Sequence, residues 1–283
     1  MSTTAAGTAP CLSFLTDFGL QDVFVAACHG VMATLAPHSR IIDVTHLVPP
    51  GDIRQGAALL AQALPHLPPA GVHVAVVDPG VGTSRRAIAV STESGHRLVG
   101  PDNGLLLPAA DALGGVAEAR ELSNAALHRH PVSRTFHGRD VFSPVAARLA
   151  VGTPFAEVGP ELDAAALVRL PEPRLALLPG GAAETEIVTV DRFGNLQTGL
   201  DAALLDRLGL VPGPGARVRV GAAGAPDGGG EVPLATTFGD VPVGGAVAYL
   251  DSSGLLTLAV NGGSAAARFG LGAGEVLRVS GCG

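Results

Sequence analysis

The chain has 283 residues, a formal net charge of −7 and no lysine, so all 18 of its basic side chains are arginines. The missing lysine excludes a phosphate-loop lysine, a Schiff-base lysine and a lysine general base. Aromatic residues make up only 4 % of the chain and tryptophan is absent. With the acidic balance, this argues against a nucleic-acid partner. A GC-rich genome, which favours arginine over lysine, is the simplest cause of this composition.

The cysteines and the apolar runs indicate the cellular compartment. Cys11, Cys28 and Cys282 are odd in number and widely spaced, which fits neither a disulfide framework nor a metal-ligand pair. No apolar run approaches the ~20 residues needed to span a bilayer. The first ten residues also lack the basic and apolar regions of a secretory signal. We therefore expect a soluble, reduced, cytoplasmic protein with no membrane partner.

The N-terminal part, 11–170, alternates short apolar runs with segments of helical period, which predicts an α/β domain. The run VHVAVV at 72–77 is apolar throughout, as expected for a parallel strand buried on both faces. We therefore expect a mostly parallel sheet with helices on both faces. In chain order the pattern predicts a strand at 11–16, a helix at 22–36, a strand at 40–45, a helix at 52–64 with Asp52 as N-cap, strands at 72–77, 86–91 and 97–100, and a helix at 138–150.

The composition changes at 171–184, where Pro and Gly cluster without an apolar period, and we predict an interdomain linker there. The remainder, 185–283, shows short strands separated by Gly/Pro turns, which is typical of a small all-β barrel. The glycine-rich stretch 221–230 is expected to be a hairpin tip. The predicted strands of this part are 186–190, 216–220, 246–250 and 255–260.

Acidic residues end three of the predicted parallel strands: Asp17, Asp43 and Asp78, with His46 just after the second strand. Ligands of open α/β sheets bind beyond the carboxyl ends of the strands, so polar residues there are site candidates. Each Asp taken alone is more simply explained as a cap of the following turn. The three together, two of them followed by glycine turns, favour a site.

Two further motifs carry polar residues. The run DPGVGTSRR starts at Asp78 and brings Arg85 and Arg86 towards the same crevice, while its glycines allow close approach of the backbone to a ligand. Its spacing does not match the dinucleotide-binding pattern. The run TFHGRD at 135–140 presents His137, Arg139 and Asp140 before a helix. PDNG at 101–104 is most simply a turn.

A metal-dependent hydrolase is the generic interpretation of these polar residues. The candidates for it are Asp17, Asp43, His46, Asp78, His137 and Asp140. No HxxxH, HxD or CxxC pair occurs among them, so the spacing does not support a metal site and we expect none.

Five ordered motifs carry a resemblance to a known family. LTDFG at 15–19, VDPGVGTSRR at 77–86, GPDNG at 100–104, TFHGRD at 135–140 and DRFGNLQTG at 191–199 together resemble the S-adenosyl-L-methionine hydroxide adenosyltransferases, which are related to fluorinating and chlorinating enzymes. The resemblance implies an N-terminal α/β domain and a C-terminal β-barrel. It also implies a homotrimer whose active sites lie between neighbouring subunits, and hydrolysis of S-adenosyl-L-methionine to adenosine and L-methionine without a cofactor.

The resemblance also implies roles for individual residues. Asp78, Arg85 and His137 match a trio that activates water, and Asp17 matches the carboxylate that binds the ribose hydroxyls. In the C-terminal part it implies an adenine site at Phe193 and Asn195, an ammonium contact at Asp191, and closure over the substrate by Ser252, Ser253 and Asn261.

Two alternatives stay open. A halogenase of the same superfamily is one, although the fluorinating relatives have a tyrosine at the position of His137 and a serine at that of Gly138. The histidine points to water as the nucleophile, while a glycine also fits a chlorinating pocket. The other alternative is a non-catalytic adenosine or S-adenosylmethionine sensor, which would need Asp17 and Asn195 but not the complete trio.

Overall fold

The computed structural model describes residues 11–223 and 230–282. They form two compact units, divided between Leu170 and Pro171. Of the hairpin tip predicted at 221–230, residues 224–229 lie outside the described ranges.

The N-terminal unit contains a seven-stranded sheet in the order β2-β1-β3-β5-β4-β6-β7. Its strands are β1 (Leu12–Thr16), β2 (Ile41–Thr45), β3 (Val72–Val76), β4 (Ala87–Thr92), β5 (Arg97–Pro101), β6 (Val116–Glu121) and β7 (Glu161–Leu162). Its α-helices are α1 (Phe24–Leu35), α2 (Ile53–Ala63), α3 (Leu107–Ala112) and α4 (Ser143–Ala150), and a π-helical turn (Gly138–Phe142) precedes α4.

The strand directions make this a mixed sheet. β1 runs parallel to β2 and β3, and β3 runs parallel to β5. The pairs β4–β5, β4–β6 and β6–β7 are antiparallel. The α/β class is confirmed. The parallel pairs lie among β1, β2, β3 and β5, and the rest of the sheet is antiparallel. β4 and β5 are antiparallel because a short turn at 93–96 joins them, and a parallel pair needs a long crossover.

Both faces of this sheet are covered, as predicted. Alternate residues of β1 and β3 belong to different apolar clusters: Phe14 and Val74 pack with α1 and α4, whereas Leu15 and Ala75 pack with α2 and α3. This alternation follows from the opposite orientation of successive side chains in a strand. The predicted cap of α2 is confirmed, since the Asp52 carboxylate accepts the Gln55 backbone N–H at 2.9 Å.

The C-terminal unit is a nearly closed barrel whose strands pair antiparallel apart from one parallel bridge at its closing edge, which confirms the predicted all-β domain. Its sheet has the order β12-β11-β15-β9-β10-β14-β13, with β8 paired to β9. A bridge between Leu234, next to β12, and Ala248 on β13 brings the two edge strands together. The strands are β8 (Leu175–Leu178), β9 (Ala182–Val190), β10 (Leu196–Asp201), β11 (Arg217–Ala222), β12 (Gly230–Pro233), β13 (Ala246–Leu250), β14 (Leu255–Val260) and β15 (Val276–Gly281), with two short helices, α5 (Ala202–Arg207) and α6 (Ala265–Phe269).

The segment 171–184 is not an irregular linker over its whole length. It contains β8 and the start of β9, which pair antiparallel. The Pro-Gly-Gly cluster at 179–181 forms the turn of this hairpin, and both glycines have positive φ, 81° at Gly180 and 70° at Gly181. The Pro/Gly signal therefore marked a tight turn between two strands. Within the described residues, no helix combines the length and the apolar character needed to cross a membrane.

Candidate active site

Two of the predicted acids meet at one edge of the N-terminal sheet. Asp17 directly follows β1 and Asp78 closely follows β3, and these neighbouring strands are parallel and in register. Their carboxyl ends therefore lie side by side. One oxygen of Asp17 accepts the backbone N–H of Gly51 at 2.9 Å, which ties the Asp17 segment to the loop before α2. Asp17 and Asp78 line the same cavity.

The loop after Asp78 turns Arg85 back onto the Asp78 carboxylate. Backbone bonds from Val81 to Asp78 and from Thr83 to Gly80 shape the turn. Gly82 has a φ of +77°, and a Cβ atom there would lie 2.4 Å from the carbonyl oxygen of Arg134, so this position requires glycine. The DPGVG motif thus serves first to fold the loop tightly against the segment that precedes His137.

Arg85 joins Asp78 to His137. Its Nε lies 2.9 Å from Asp78 Oδ1, and its Nη2 lies 2.5 Å from Asp78 Oδ2 and 2.9 Å from His137 Nδ1. The side chains of Arg85 and Asp78 are 11 % and 5 % exposed, so solvent screens the pair little. The guanidinium also lies 5.3 Å from the ring centroid of Phe142, which fixes it further.

This geometry defines the protonation of His137. Because Arg85 is always protonated and has no acceptor, it donates to Nδ1, and the neutral ring therefore carries its hydrogen on Nε2. Burial and the charge of Arg85 lower the pKa of His137 below its ordinary value, while Asp78 and Asp140 oppose this effect. His137 is therefore neutral at neutral pH, and its remaining polar group is a donor.

The cavity beside the trio has a volume of about 170 Å³. Two of the trio, Asp78 and His137, line it, while Arg85 lies behind them. The other lining residues are Asp17, Phe18, Gly51, Val76, Pro79, Val81, Thr135, Phe136 and Gly138. The cavity therefore combines two carboxylates and an imidazole with an apolar wall, as a small-molecule site does.

Arg86 and Asp140, two of the other candidates in these motifs, have structural partners instead. Arg86 points to Asp102, with Nε 2.8 Å from Oδ2, and does not line the cavity. Asp140 is fully buried; burial alone would raise its pKa, but bonds from Arg139, the Ser133 N–H and Arg129 hold it below the ordinary value. These ion pairs anchor the loops on either side of the site.

The Asp43 prediction was wrong in one respect. Asp43 does not end β2 but lies in its middle, opposite Phe14, with its side chain 44 % exposed. Neither Asp43 nor His46 lines the cavity. The six residues considered for a metal-dependent hydrolase therefore do not form one centre: Asp17, Asp78 and His137 share the cavity, whereas Asp43 and His46 lie together elsewhere.

In the C-terminal unit, the DRFGN loop between β9 and β10 positions Asn195. The Asp191 carboxylate accepts the backbone N–H groups of Phe193 and Asn195, both at 2.9 Å, and the Asn195 side-chain amide at 2.7 Å. Asn195 and Phe193 line a cavity of about 450 Å³ together with Phe238, Ala259, Val260, Gly262 and Gly263. Phe193 is 71 % exposed and Phe238 55 % exposed, so this unit presents two open aromatic faces beside a polar amide.

The remaining predicted binding residues do not line this cavity. Ser252 and Ser253 are exposed in the turn between β13 and β14, where the Ser253 N–H donates to Asp251 at 2.8 Å. Asn261 follows β14, and its amide donates to the carbonyl of Val241 at 2.7 Å. Their contacts with a substrate stay predictions, as does the ammonium contact of Asp191.

Sequence reasoning missed several residues that line the two cavities. Phe18 and Phe136 lie inside the quoted motifs, next to Asp17 and His137, so the motifs themselves held the signal. Gly51 and Phe238 carried no local signal, because only the fold brings them to the cavities from distant parts of the chain.

The chain is similar to known proteins over nearly its whole length. The model of the SAM hydroxide adenosyltransferase N-terminal domain matches residues 12–159, and that of the C-terminal domain matches residues 185–278. The chain is 54 % identical to a protein of Salinispora arenicola named (R)-S-adenosyl-L-methionine hydrolase, over 96 % of this chain and 98 % of that protein. It is 31 % identical to a fluorinase of Nocardia brasiliensis, over 98 % and 99 % of the two chains. A crystal structure of an uncharacterized conserved protein from Thermotoga maritima superposes with a TM-score of 0.87 at 36 % identity, covering 95 % of this chain and 99 % of that one.

The charges of Arg85 and Asp78 should move the pKa of His137 in opposite directions. Replacing Arg85 with Gln removes a neighbouring positive charge, so the pKa of His137 should rise. Replacing Asp78 with Asn removes a negative charge, so the pKa should fall further. NMR titration of the His137 ring protons in the wild type and both variants measures this, with exposed His38 as internal reference. Shifts of the same sign in both variants would contradict the charge arrangement.

Proposed function

We propose that this chain, which belongs to the SAM hydroxide adenosyltransferase family, hydrolyses S-adenosyl-L-methionine to adenosine and L-methionine. The observation that carries the proposal is the continuous hydrogen-bonded trio Asp78–Arg85–His137 beside a cavity that Asp17 also lines. A sensor that only binds adenosine has no need of this trio. The chain is also related to a fluorinase, although at lower sequence identity. The experiment must therefore test which nucleophile this chain uses.

In the proposed reaction, oxygen attacks the 5′-carbon of the ribose. The new C–O bond forms while the C–S bond breaks, and its electron pair goes to the sulfonium, which leaves as a neutral thioether. The leaving group needs no proton, so no general acid is required. The difficult part is the nucleophile, since bulk water has a pKa near ~15.7 and attacks weakly.

The trio offers one hydrogen-bond donor to this nucleophile. The lone pair on Nδ1 of His137 is already occupied by the bond from Arg85, so the neutral ring donates through Nε2. A donor stabilises hydroxide relative to water and lowers the pKa of the bound water. We therefore assign His137 as a donor to hydroxide and Arg85 as the permanent positive charge behind it. The proton of the water is lost to solvent.

The other carboxylates complete this scheme. Asp78 holds Arg85 in place through two nitrogens and balances its charge. Asp17, whose Oδ2 is tied to Gly51, is placed to accept bonds from the ribose hydroxyls and so to fix the angle of attack. In the C-terminal unit we assign the adenine edge to Asn195 and the adenine face to Phe193.

We also propose a cytoplasmic homotrimer in which the N-terminal unit of one subunit and the C-terminal unit of its neighbour close each site. The exposed aromatic faces of Phe193 and Phe238 support a covering partner, because large apolar patches are rarely left open. The cysteines Cys11, Cys28 and Cys282 are unpaired, which suits a reducing compartment.

The name of one relative supports a proposal on the configuration of the substrate. The protein of Salinispora arenicola is named for the R form, and we propose that this chain also takes the R configuration at the sulfonium. Parallel assays with the two sulfonium epimers address this assignment directly.

Loss of the trio should reduce turnover much more than binding. His137→Ala should lower kcat by roughly 10²–10³-fold, the cost of removing one donor to a developing anion. Arg85→Ala should lower kcat similarly because it removes the positive charge behind that donor, and neither variant should change adenosine affinity much. Asn195→Ala should instead weaken adenosine binding by about tenfold, a typical value for a lost hydrogen bond. Rates come from chromatography of adenosine and affinities from calorimetry.

The controls for this experiment separate the alternatives. His130→Ala, at an exposed histidine outside the cavity, should leave both quantities unchanged. At temperatures well below the thermal midpoint of the chain, a chelator should not affect the rate, and chloride should not yield chlorinated nucleoside. Equal losses of turnover and adenosine affinity in the trio variants would contradict the catalytic assignment.

Sites shared between subunits should allow two variants to rescue each other in assays well below the KM for substrate, where His137→Ala is slow through lost turnover and Asn195→Ala through lost binding. When His137→Ala and Asn195→Ala chains are unfolded, mixed equally and reassembled, random assembly should give each site both intact halves about a quarter of the time. The activity of the mixture should therefore recover to about a quarter of the wild-type rate. Each variant refolded alone is the control. A mixture no more active than the average of these controls would contradict sites shared between subunits.

A further inference from the structure

A second cluster of polar side chains lies in the N-terminal unit, outside the cavity. It consists of His29 on α1, Asp43 on β2 and His46 just after β2. The Nε2 of His29 is 2.8 Å from Asp43 Oδ1, and the Nε2 of His46 is 3.0 Å from the same oxygen. One ligand atom from each residue lies within 4.8 Å of the others. The proposed reaction uses none of the three.

His46 is the unusual member of this cluster. It is only 4 % exposed, and its Nε2 makes no hydrogen bond although a carboxylate oxygen lies 3.0 Å away. A buried polar atom normally has a partner, so an unpartnered one needs an explanation. The nitrogen and the oxygen approach each other without the alignment of a donor and an acceptor, as two ligands of one ion do.

The other nitrogen of His46 has the partner that a metal-bound histidine needs. Nδ1 lies 2.9 Å from the Thr16 hydroxyl oxygen, which also accepts the Phe18 N–H. Histidines that bind metals through one nitrogen usually donate the other N–H to an oxygen, which fixes the ring and its tautomer. With Nδ1–H donating to Thr16, Nε2 presents its lone pair to the cluster.

We propose that His29 Nε2, the Asp43 carboxylate and His46 Nε2 bind a divalent transition-metal ion, with Zn²⁺ as the preferred ion and water completing its coordination. Two imidazoles and one carboxylate suit Zn²⁺, whereas Mg²⁺ and Ca²⁺ prefer all-oxygen sites. Ligands of a tetrahedral zinc are about 3.3 Å apart, so a small outward shift of the two outer residues admits the ion. The His29 and Asp43 side chains, 32 % and 44 % exposed, have room for it.

The cluster is directly connected to the Asp17 segment. The backbone N–H of Gly19 donates to the carbonyl of His46 at 2.8 Å, and Thr16 binds both the His46 ring and the Phe18 N–H. A metal ion here would therefore link α1 to β2 next to the loop that carries Asp17. Its role is to stabilise this loop, apart from the reacting atoms.

The test uses the full-length chain after treatment with a chelator and dialysis. Titration with ZnCl₂ in a calorimeter should show one Zn²⁺ per chain, and CoCl₂ should produce the visible absorption of a four-coordinate Co²⁺ ion. Zn²⁺ should also raise the thermal midpoint, because a ligand of the folded state stabilises it. His29→Gln should weaken binding at least tenfold and abolish the rise. Because His29 is partly exposed, its replacement should not destabilise the fold. Without metal, the thermal midpoint of the variant should therefore equal that of the metal-free wild type.

His130→Gln is the matched control, since His130 lies beside His128, with the ring centroids 6.5 Å apart, and offers an alternative place for the ion. It should bind Zn²⁺ as the wild type does. The proposal is overturned if no saturable binding at one ion per chain is seen, if His29→Gln binds as tightly as wild type, or if His130→Gln removes the binding. The last result would place the ion at the His128–His130 pair.

Discussion

The proposed chemistry depends on one guanidinium group. Arg85 bonds to the Asp78 carboxylate and to the Nδ1 of His137, and so holds two residues that are 59 positions apart in the sequence at one side of a cavity. Because arginine does not lose its proton, it determines which nitrogen of His137 accepts and which donates. A lysine would supply charge but not two directed bonds from one planar group. The chain has no lysine, and the basic group of the proposed active site is an arginine.

The rest of the N-terminal unit serves to place this group. Parallel pairing of β1 and β3 brings Asp17 and Asp78 to the same edge, and the tight loop at Gly82 returns Arg85 to Asp78. The buried carboxylate of Asp140 accepts hydrogen bonds from Arg129, Arg139 and the backbone N–H of Ser133. These bonds anchor the segment that carries His137. The catalytic assignment therefore rests on loops held by strong, charge-assisted bonds.

Sequence reasoning succeeded where the signal was local. The helical spacing of apolar residues in 22–36 predicted α1, and the cap at Asp52 predicted the start of α2. The apolar run at 72–77 predicted β3. It failed where long-range pairing decides the structure. The antiparallel half of the sheet has no distinct local pattern, and Pro-Gly-Gly at 179–181 is equally compatible with a linker and a hairpin.

The same limit applies within the site. Arg85 and Arg86 are adjacent and chemically identical, and only the fold turns one to Asp78 and the other to Asp102. The absence of a metal-ligand spacing argued against a metal site, yet His29 reaches Asp43 and His46 from a different element. Spacing rules find ligands that share one element, and they do not detect a cluster assembled from a helix, a strand and a loop.

The most direct test of the account follows the oxygen atom. The chain is incubated with S-adenosyl-L-methionine in water labelled with oxygen-18, and the products are analysed by mass spectrometry. Attack of hydroxide at the ribose 5′-carbon predicts adenosine with one labelled oxygen at its 5′-hydroxyl and methionine without label. Unlabelled adenosine, or label in the amino-acid product, would contradict it.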